Sequence, residues 1–326
     1  MKLTKRQIMG GLALLASSLA LPATAQDWPD GRITLIVPWG AGGGTDATAR
    51  IIGTLLQERV GVPVAVENRT GGSGVIGHAA IADATPDGQT IGVATLEIGT
   101  MHNLGLTELD YTAYTPLGLY NSDPAAIFVN ARSDFADIGG LLAALEDAPD
   151  RQFKGSGSAQ GGVNHLALAG MLMAAGMPAE RVAWVPSEGA APGLQDLAAG
   201  GVEVATASLP EAAALMGAGL IRPLAVFASE RLDIAPDVPT FNEATGHDFA
   251  LGSWRGLVAP AGVAPEIAAQ MTEVLGEVLQ DPQYVSFMTE RGYAMQWTTG
   301  ADFESFMMTS DAALGDTLRA VGLAAQ

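Results

Sequence analysis

Apolar positions along this chain follow two alternating rhythms: short β-branched runs, and stretches with an apolar side chain at every third or fourth place. Ile33–Val37 and residues 62–67 and 90–94 have the first character and are predicted as strands. Residues 45–60 have the second, with Ala49, Ile52, Leu55 and Leu56 at helical spacing and Gly61 placed to stop the helix. A short helix ending at Ala84 and the turn Pro86-Asp87-Gly88 lead to the third strand. Strands alternating with helices predict an α/β domain with a parallel sheet, whose ligand edge lies at the carboxyl ends of its strands. Residues 39–46 and 95–99 fall on that edge.

After Tyr114 the rhythm changes. Residues 117–120 and 125–130 read as two strands separated by Asn121-Ser122-Asp123-Pro124, which marks a crossing into a second domain. Further strands are predicted at 182–186, at 202–207 ending in Ser208, and at 222–228, the last as the return crossing. Helices are predicted at 163–175, 190–199, 265–280, 282–290 and 301–321, and Met271, Leu275, Phe287 and Met288 read as core. The organisation expected is a leader over 1–25, a first domain built from 26–122 and 229–326, and a second domain over 123–228.

One motif occurs twice in this frame. Strand 33–37 runs through Pro38-Trp39 into a glycine-rich loop, with Thr45 and Asp46 positioned to cap the following helix. Phe153-Lys154 runs into Gly155-Ser156-Gly157-Ser158-Ala159-Gln160-Gly161-Gly162 and then a helix. Glycines let backbone approach a ligand closely, and the unpaired amides of a first helical turn favour a carboxylate or phosphate. The ordinary alternatives are a glycine-rich βα connection and a surface turn. A third stretch, Gly72-Ser73-Gly74-Val75-Ile76-Gly77, matches the dinucleotide fingerprint, but Asn68 to Gly71 intervene where its first glycine belongs.

Charge sharpens the ligand's chemistry. Lys and Arg number 16 against 35 Asp and Glu, a net of −19, and without Lys2, Lys5 and Arg6 the balance is 13 − 35 = −22. Such a surface repels nucleic acid and anionic lipid. The three basic residues precede an apolar run from Ile8 to Leu21 and the small-residue pattern Ala23-Thr24-Ala25, which reads as an export signal with cleavage after Ala25. The chain holds no Cys, so thiolate chemistry is excluded. Its four histidines, His78, His102, His165 and His247, show no metal-ligand spacing, and neither a G-x-S-x-G elbow nor a P-loop occurs. No cofactor or metal is expected, and binding without catalysis is the reading. For an exported enzyme, the alternative from another class, Asp46, Glu97 and His165 are the only candidate groups.

The runs VPWGAGGGTDATAR, VPVAVENRTGGSGVIG, ATPDGQTIGVAT, VNHLALAGML, LQDLAAGGVEVA, RPLAVFASERL with DVPTFNEATG, and WRGLVAPAGVAPE together resemble the TctC-like, or Bug, family of extracytoplasmic solute-binding proteins. That resemblance implies a two-domain periplasmic-binding-protein fold (Venus flytrap, type II) with a ligand cleft between the domains. It further implies a periplasmic monomer that closes on a small carboxylate and delivers it to the large and small membrane subunits of a tripartite tricarboxylate transporter. A sensory role at a membrane receptor would use the same closure.

The site residues expected are Trp39, Gly40, Gly42, Gly43, Gly44, Thr45 and Asp46 in the first loop, and Thr95 and Glu97 after the third strand. In the second loop they are Ser156, Gly157, Ser158, Ala159, Gln160 and Gly161, with His165 behind it and Ser187 and Ser208 at two further strand ends. Two positions depart from the family's pattern. Many relatives have V-P-Y-K-G where this chain has Val185-Pro186-Ser187-Glu188-Gly189, and small hydroxyl residues where it has Thr95-Leu96-Glu97. Two carboxylates near the mouth predict a ligand with fewer carboxylates than citrate, or one that carries an amino group.

Overall fold

The computed structural model describes residues 28–325, so the predicted leader and its cleavage site lie outside the described residues. β1 (Ile33–Val37), α1 (Gly44–Val60), β2 (Val64–Asn68), α2 (Val75–Ala82) and β3 (Thr90–Thr95) form two βαβ units. β1 pairs in parallel with both β2 and β3. The helical-period residues of α1 pack on β1 in a core that includes Ile52, Leu55, Leu56, Met271, Leu275 and Met288, with Phe287 packed against it. Each such side chain, fully buried, contributes on the order of 1.5–3 kcal/mol.

β4 is one strand over Tyr114–Asn130, not two with a turn between them. Asn121 and Asp123 are turn formers by propensity, yet both lie in the strand, two residues apart on one face, and both accept hydrogen bonds from Arg255. Tertiary partners override local preference here. The crossing between halves is made inside β4.

The second half comprises α3 (Ile138–Asp147), β5 (Lys154–Ser156), α4 (Val163–Ala174), β6 (Ala183–Trp184), α5 (Ala190–Ala199), β7 (Val204–Ser208), α6 (Leu209–Gly217), β8 (Ile221–Val226) and α7 (Phe241–Thr245). β4 residues 125–130 pair antiparallel with β7 on one side and β8 on the other, and residues 114–124 pair with β9 (Gly252–Pro260). β9 also pairs antiparallel with β3, which joins all strands in the order β2-β1-β3-β9-β4-β7-β5-β6, with β8 and a short β10 (Thr298–Thr299) paired to β4.

The chain does not return to the first half at residue 228 as expected. Phe241 of α7 packs with Phe227, Leu224 and Leu168, and Phe249 and Leu251 lie against that cluster. Return comes where the Ala125 amide donates to Leu251 O and β9 begins. Helices α8 (Pro265–Leu279), α9 (Pro282–Arg291) and α10 (Gly300–Ala320) then cover the first half. One apolar cluster joins the halves: Val163, Leu166 and Ala169 of α4 pack with Ile36, Ala94, Trp254 and Phe303.

Candidate functional site

Helix α1 starts at Gly44 behind an N-cap, Gly43, that offers no side chain, and its first turn receives no side-chain cap. The first intrahelical bond is Ala47 N–H to Gly43 O, which leaves the amides of Gly44, Thr45 and Asp46 without helical acceptors. Thr45 and Asp46 do not cap the helix as expected, because both lie inside it. Asp46 folds back instead: one carboxylate oxygen accepts from Gly42 N–H (2.9 Å) and Arg50 Nε (3.0 Å), and the other from Asn68 Nδ2 (2.9 Å). Burial pushes its pKa up, but the bonds from Arg50, Gly42 and Asn68 outweigh this and leave it lowered. A charged, tethered Asp46 fixes the loop's shape and stays out of the cavity.

Trp39 is held above this loop. Its Nε1 donates to Thr95 Oγ1 (3.1 Å), and its carbonyl accepts from Asn68 Nδ2 (2.9 Å). The fingerprint-like 72–77 stretch turns out to support it: Gly74, at φ +93°, comes so close that a Cβ there would sit 3.2 Å from the Trp39 ring. A Cβ on Gly77 would sit 2.5 Å from the Arg69 carbonyl. These glycines serve close packing and the aim of a tryptophan.

The second loop is arranged differently. α4 begins after Gly162, again without a side-chain cap from its own chain segment. Its first amide, Val163 N–H, donates to Glu97 Oε1 (3.1 Å), and Glu97 Oε2 accepts the Thr95 hydroxyl (2.6 Å). Glu97 is 3% exposed. Burial raises its pKa against the opposing effects of the Thr95 and Val163 bonds and the Arg255 charge. His165 stays behind the loop, where Nδ1 accepts from Gly161 N–H (3.0 Å) and the ring stacks on Trp184 at 4.7 Å. With Nδ1 in that role the ring is neutral, and burial depresses its pKa to about 4.

Both loops face one cavity between the halves, with a volume of about 40 Å³. Of the expected site residues, Trp39, Gly40, Gly43, Gly44, Thr45, Thr95, Glu97 and Ser158 line it. Gly42, Asp46, Ser156, Gly157, Ala159, Gln160, Gly161, His165, Ser187 and Ser208 do not line it, and each of these has a supporting place. Ser156 Oγ donates to Val185 O, Ser187 Oγ to Gly189 O, and Ser208 Oγ to Glu211 Oε2. Gly157 lies against the Thr206 carbonyl, and Ala159 and Gln160 belong to the turn that Gly162 N–H closes on Ala159 O.

Arg255 is one of the lining residues that strand and helix patterns missed, with Asn164, Glu211, Ser253 and Trp254. It is 2% exposed on β9, with Nε donating to Thr45 Oγ1 (3.1 Å), Nη1 to Asn121 Oδ1 and to Asp123 Oδ2 (3.0 Å), and Nη2 to Glu211 Oε1 (2.9 Å). Burial alone would lower its pKa, but the charges of Glu211 and Asp123 win and raise it, so the guanidinium is charged. Glu211 belongs to the second half, so this ion pair spans the cleft. So do the Glu97–Val163 bond and the Gly40 N–H bond to Glu188 O (3.1 Å). The signal for Arg255 was WRGLVAPAGVAPE, whose opening residues form the cavity wall.

No group of acidic and histidine side chains able to hold a metal ion occurs among the described residues. No helix among them is long and apolar enough to cross a membrane.

Two α/β halves joined through β4 and β9, with a cavity between facing loops, define a periplasmic-binding-protein fold. The periplasmic binding protein BugD has this fold, with a TM-score of 0.85 at 24% identity over 92% of this chain and 100% of BugD. The family model of the tripartite tricarboxylate transporter family receptor, TctC, matches residues 48–323, and the chain belongs to that family of periplasmic solute-binding proteins. It is 30% identical to the UPF0065 protein in the tcbD-tcbE intergenic region of a Pseudomonas species, over 88% of this chain and 86% of that one. It is also similar to R. palustris Rpa4515, solved with adipate: 29% identity, TM-score 0.84, 91% of this chain and 99% of that one.

Proposed function

We propose that this receptor captures a small carboxylate in the cavity between its halves, seats the carboxylate at the amino end of α1, and delivers it as a monomer to the large and small membrane subunits of a tripartite transporter. The observation that carries this reading is the uncapped first turn of α1 opening onto the cavity. The amides of Gly44 and Thr45, which have no helical acceptor, the Thr45 hydroxyl and the positive end of the helix converge there. The remaining Nη2 hydrogen of Arg255 adds a charged donor beside them. The similar R. palustris protein is solved with a carboxylate, adipate.

Ligand contacts to both halves exist only when the halves approach, so binding favours closure. The test is a thermal-shift and calorimetric screen of carboxylates. The expected result is saturable binding, weakened by about 0.5–1.5 kcal/mol in Thr45→Ala for a lost neutral hydrogen bond, and lost in Gly43→Val, where branched carbons cover the amides. Unchanged affinity in Gly43→Val would remove the α1 loop from the site. Uptake of the same ligand that depends on the membrane subunits would support delivery; binding with no such dependence would favour sensing.

A further inference from the structure

Resting on that carboxylate-capture reading, we infer that Glu97 is a specificity-determining residue: its carboxylate takes the first amide of α4, so the cavity takes a ligand with one carboxylate, seated at α1, and one ammonium group, seated on Glu97. The two loops supply two helix amino ends, but they are not both vacant. Glu97 is a carboxylate contributed by the protein itself, almost fully buried and fixed at both oxygens by Thr95 and Val163. Thr95 is fixed in turn by Trp39. A second ligand carboxylate would have to displace this chain of bonds and leave Glu97 buried without its donors.

Charge in the cavity wall points the same way. The charged lining residues are Arg255 against Glu97, Glu188 and Glu211, and 1 − 3 leaves a balance of −2. Arg255 is already neutralised by Glu211 and Asp123, so it provides no net positive charge for a dicarboxylate. A ligand with carboxylates at both ends would place its second charge against Glu97, a like-charge contact strengthened by the low dielectric of the closed cleft.

An ammonium suits the same place. A carboxylate offers about four acceptor sites; Thr95 and Val163 occupy one at each oxygen of Glu97, and its own backbone amide is a third donor. The remainder is available to a ligand N–H. Ser253 Oγ lines the cavity, is buried, and has no hydrogen-bond partner among the described residues, which supplies a further acceptor or donor. Glu188 sits exposed at the mouth and adds an attractive potential for a cation.

Titration calorimetry on the wild type, Glu97→Gln and Glu97→Ala, with β-alanine, γ-aminobutyrate, butyrate, succinate and adipate, decides the matter. Glu97→Gln keeps an acceptor for Val163 N–H and removes the charge, with an amide N–H₂ in place of the oxygen that faces Thr95, so it controls for misfolding in Glu97→Ala. The wild type is expected to bind an amino monocarboxylate at least tenfold tighter than butyrate, succinate or adipate. Glu97→Gln is expected to lose most of that margin, and Glu97→Ala to gain at least tenfold for a dicarboxylate. Wild-type protein that prefers succinate or adipate, or variants that leave the ratio unchanged, would overturn the role of Glu97 while carboxylate capture stands. Absence of binding by every carboxylate in all three proteins would overturn the parent reading, and this one with it.

Discussion

At the end of β1 the chain turns through glycines into α1, whose first turn opens onto a cavity and receives no side-chain cap among the described residues. At the end of β5 it turns through a similar loop into α4, and there the first amide is taken by Glu97 from the opposite half. The loops share a composition but not an occupancy. What separates them is a single carboxylate sixty-six residues away in sequence from the amide that it binds. A glycine-rich strand-to-helix junction therefore specifies a possible anion site, and distant side chains decide whether it is open.

The strongest way to break the comparison is to remove the residue that ties the open loop's helix to the second half. Arg255 reaches Thr45 of the open loop's helix and, through Glu211, the second half. Arg255→Met would leave buried Asp123 and half-buried Glu211 without their cation, and loss of one partner of a buried pair costs about 3–5 kcal/mol. Urea denaturation should show a fall of that size; a loss below about 1 kcal/mol would mean that water replaces the guanidinium readily and that the cleft is less dry than its burial indicates.

Next in size is a pH effect centred on the closed loop and its support. His165 behind the second loop and His78 beneath Thr95 are both buried, and burial depresses the pKa of each to about 4. Unfolded histidine takes up a proton below about pH 6.5, whereas these remain neutral in the folded protein until about pH 4. Their contribution to stability is complete above pH 6.5 and is lost as pH falls from there towards 4. Glu97, raised by burial, acts in the opposite direction and trims the loss. A decrease of roughly 2–3 kcal/mol for each histidine between pH 7 and 4.5, less the opposing Glu97 contribution, is expected from denaturant titrations, and His165→Asn should remove one histidine's share. An unchanged slope in that variant would show that the ring titrates freely.

These two cases also show how much could be read in advance. The βαβ order, the paired glycine-rich loops and the core role of Met271, Leu275 and Met288 depend on local pattern, which a sequence displays directly. Asn121 and Asp123 read as a turn because propensity reports only local preference, while their place in β4 is set by Arg255, more than a hundred residues on. β9 escaped the same reading: Gly252-Ser253-Trp254-Arg255-Gly256 has no clean alternation, since the strand is covered on both faces and its polar members point into the cleft. The loops were found by their glycines, but the members that line the cavity were not separated from those that brace it. Ser156, Gly161 and His165 look like ligand groups by type and act as supports by partner.

A pair of alanine substitutions sharpens the contrast at smaller scale. Gly157, in the second loop, has φ +155°, and a Cβ there would meet the Thr206 carbonyl oxygen at 2.2 Å. Backbone cannot yield as a side-chain tip can, so Gly157→Ala should cost about 2–3 kcal/mol through overpacking and loosen the α4 end. Gly42, in the first loop, has φ +83° with nothing within 4 Å of the added carbon. Its substitution by alanine meets only the intrinsic penalty of the left-handed region, about 1–2 kcal/mol, and Gly42 N–H keeps its bond to Asp46. Ligand affinity should then fall less than twofold in Gly42→Ala and much more in Gly157→Ala. Equal losses in the two would mean that the first loop is as tightly braced as the second, and that its amides are held by neighbours instead of being left for a ligand.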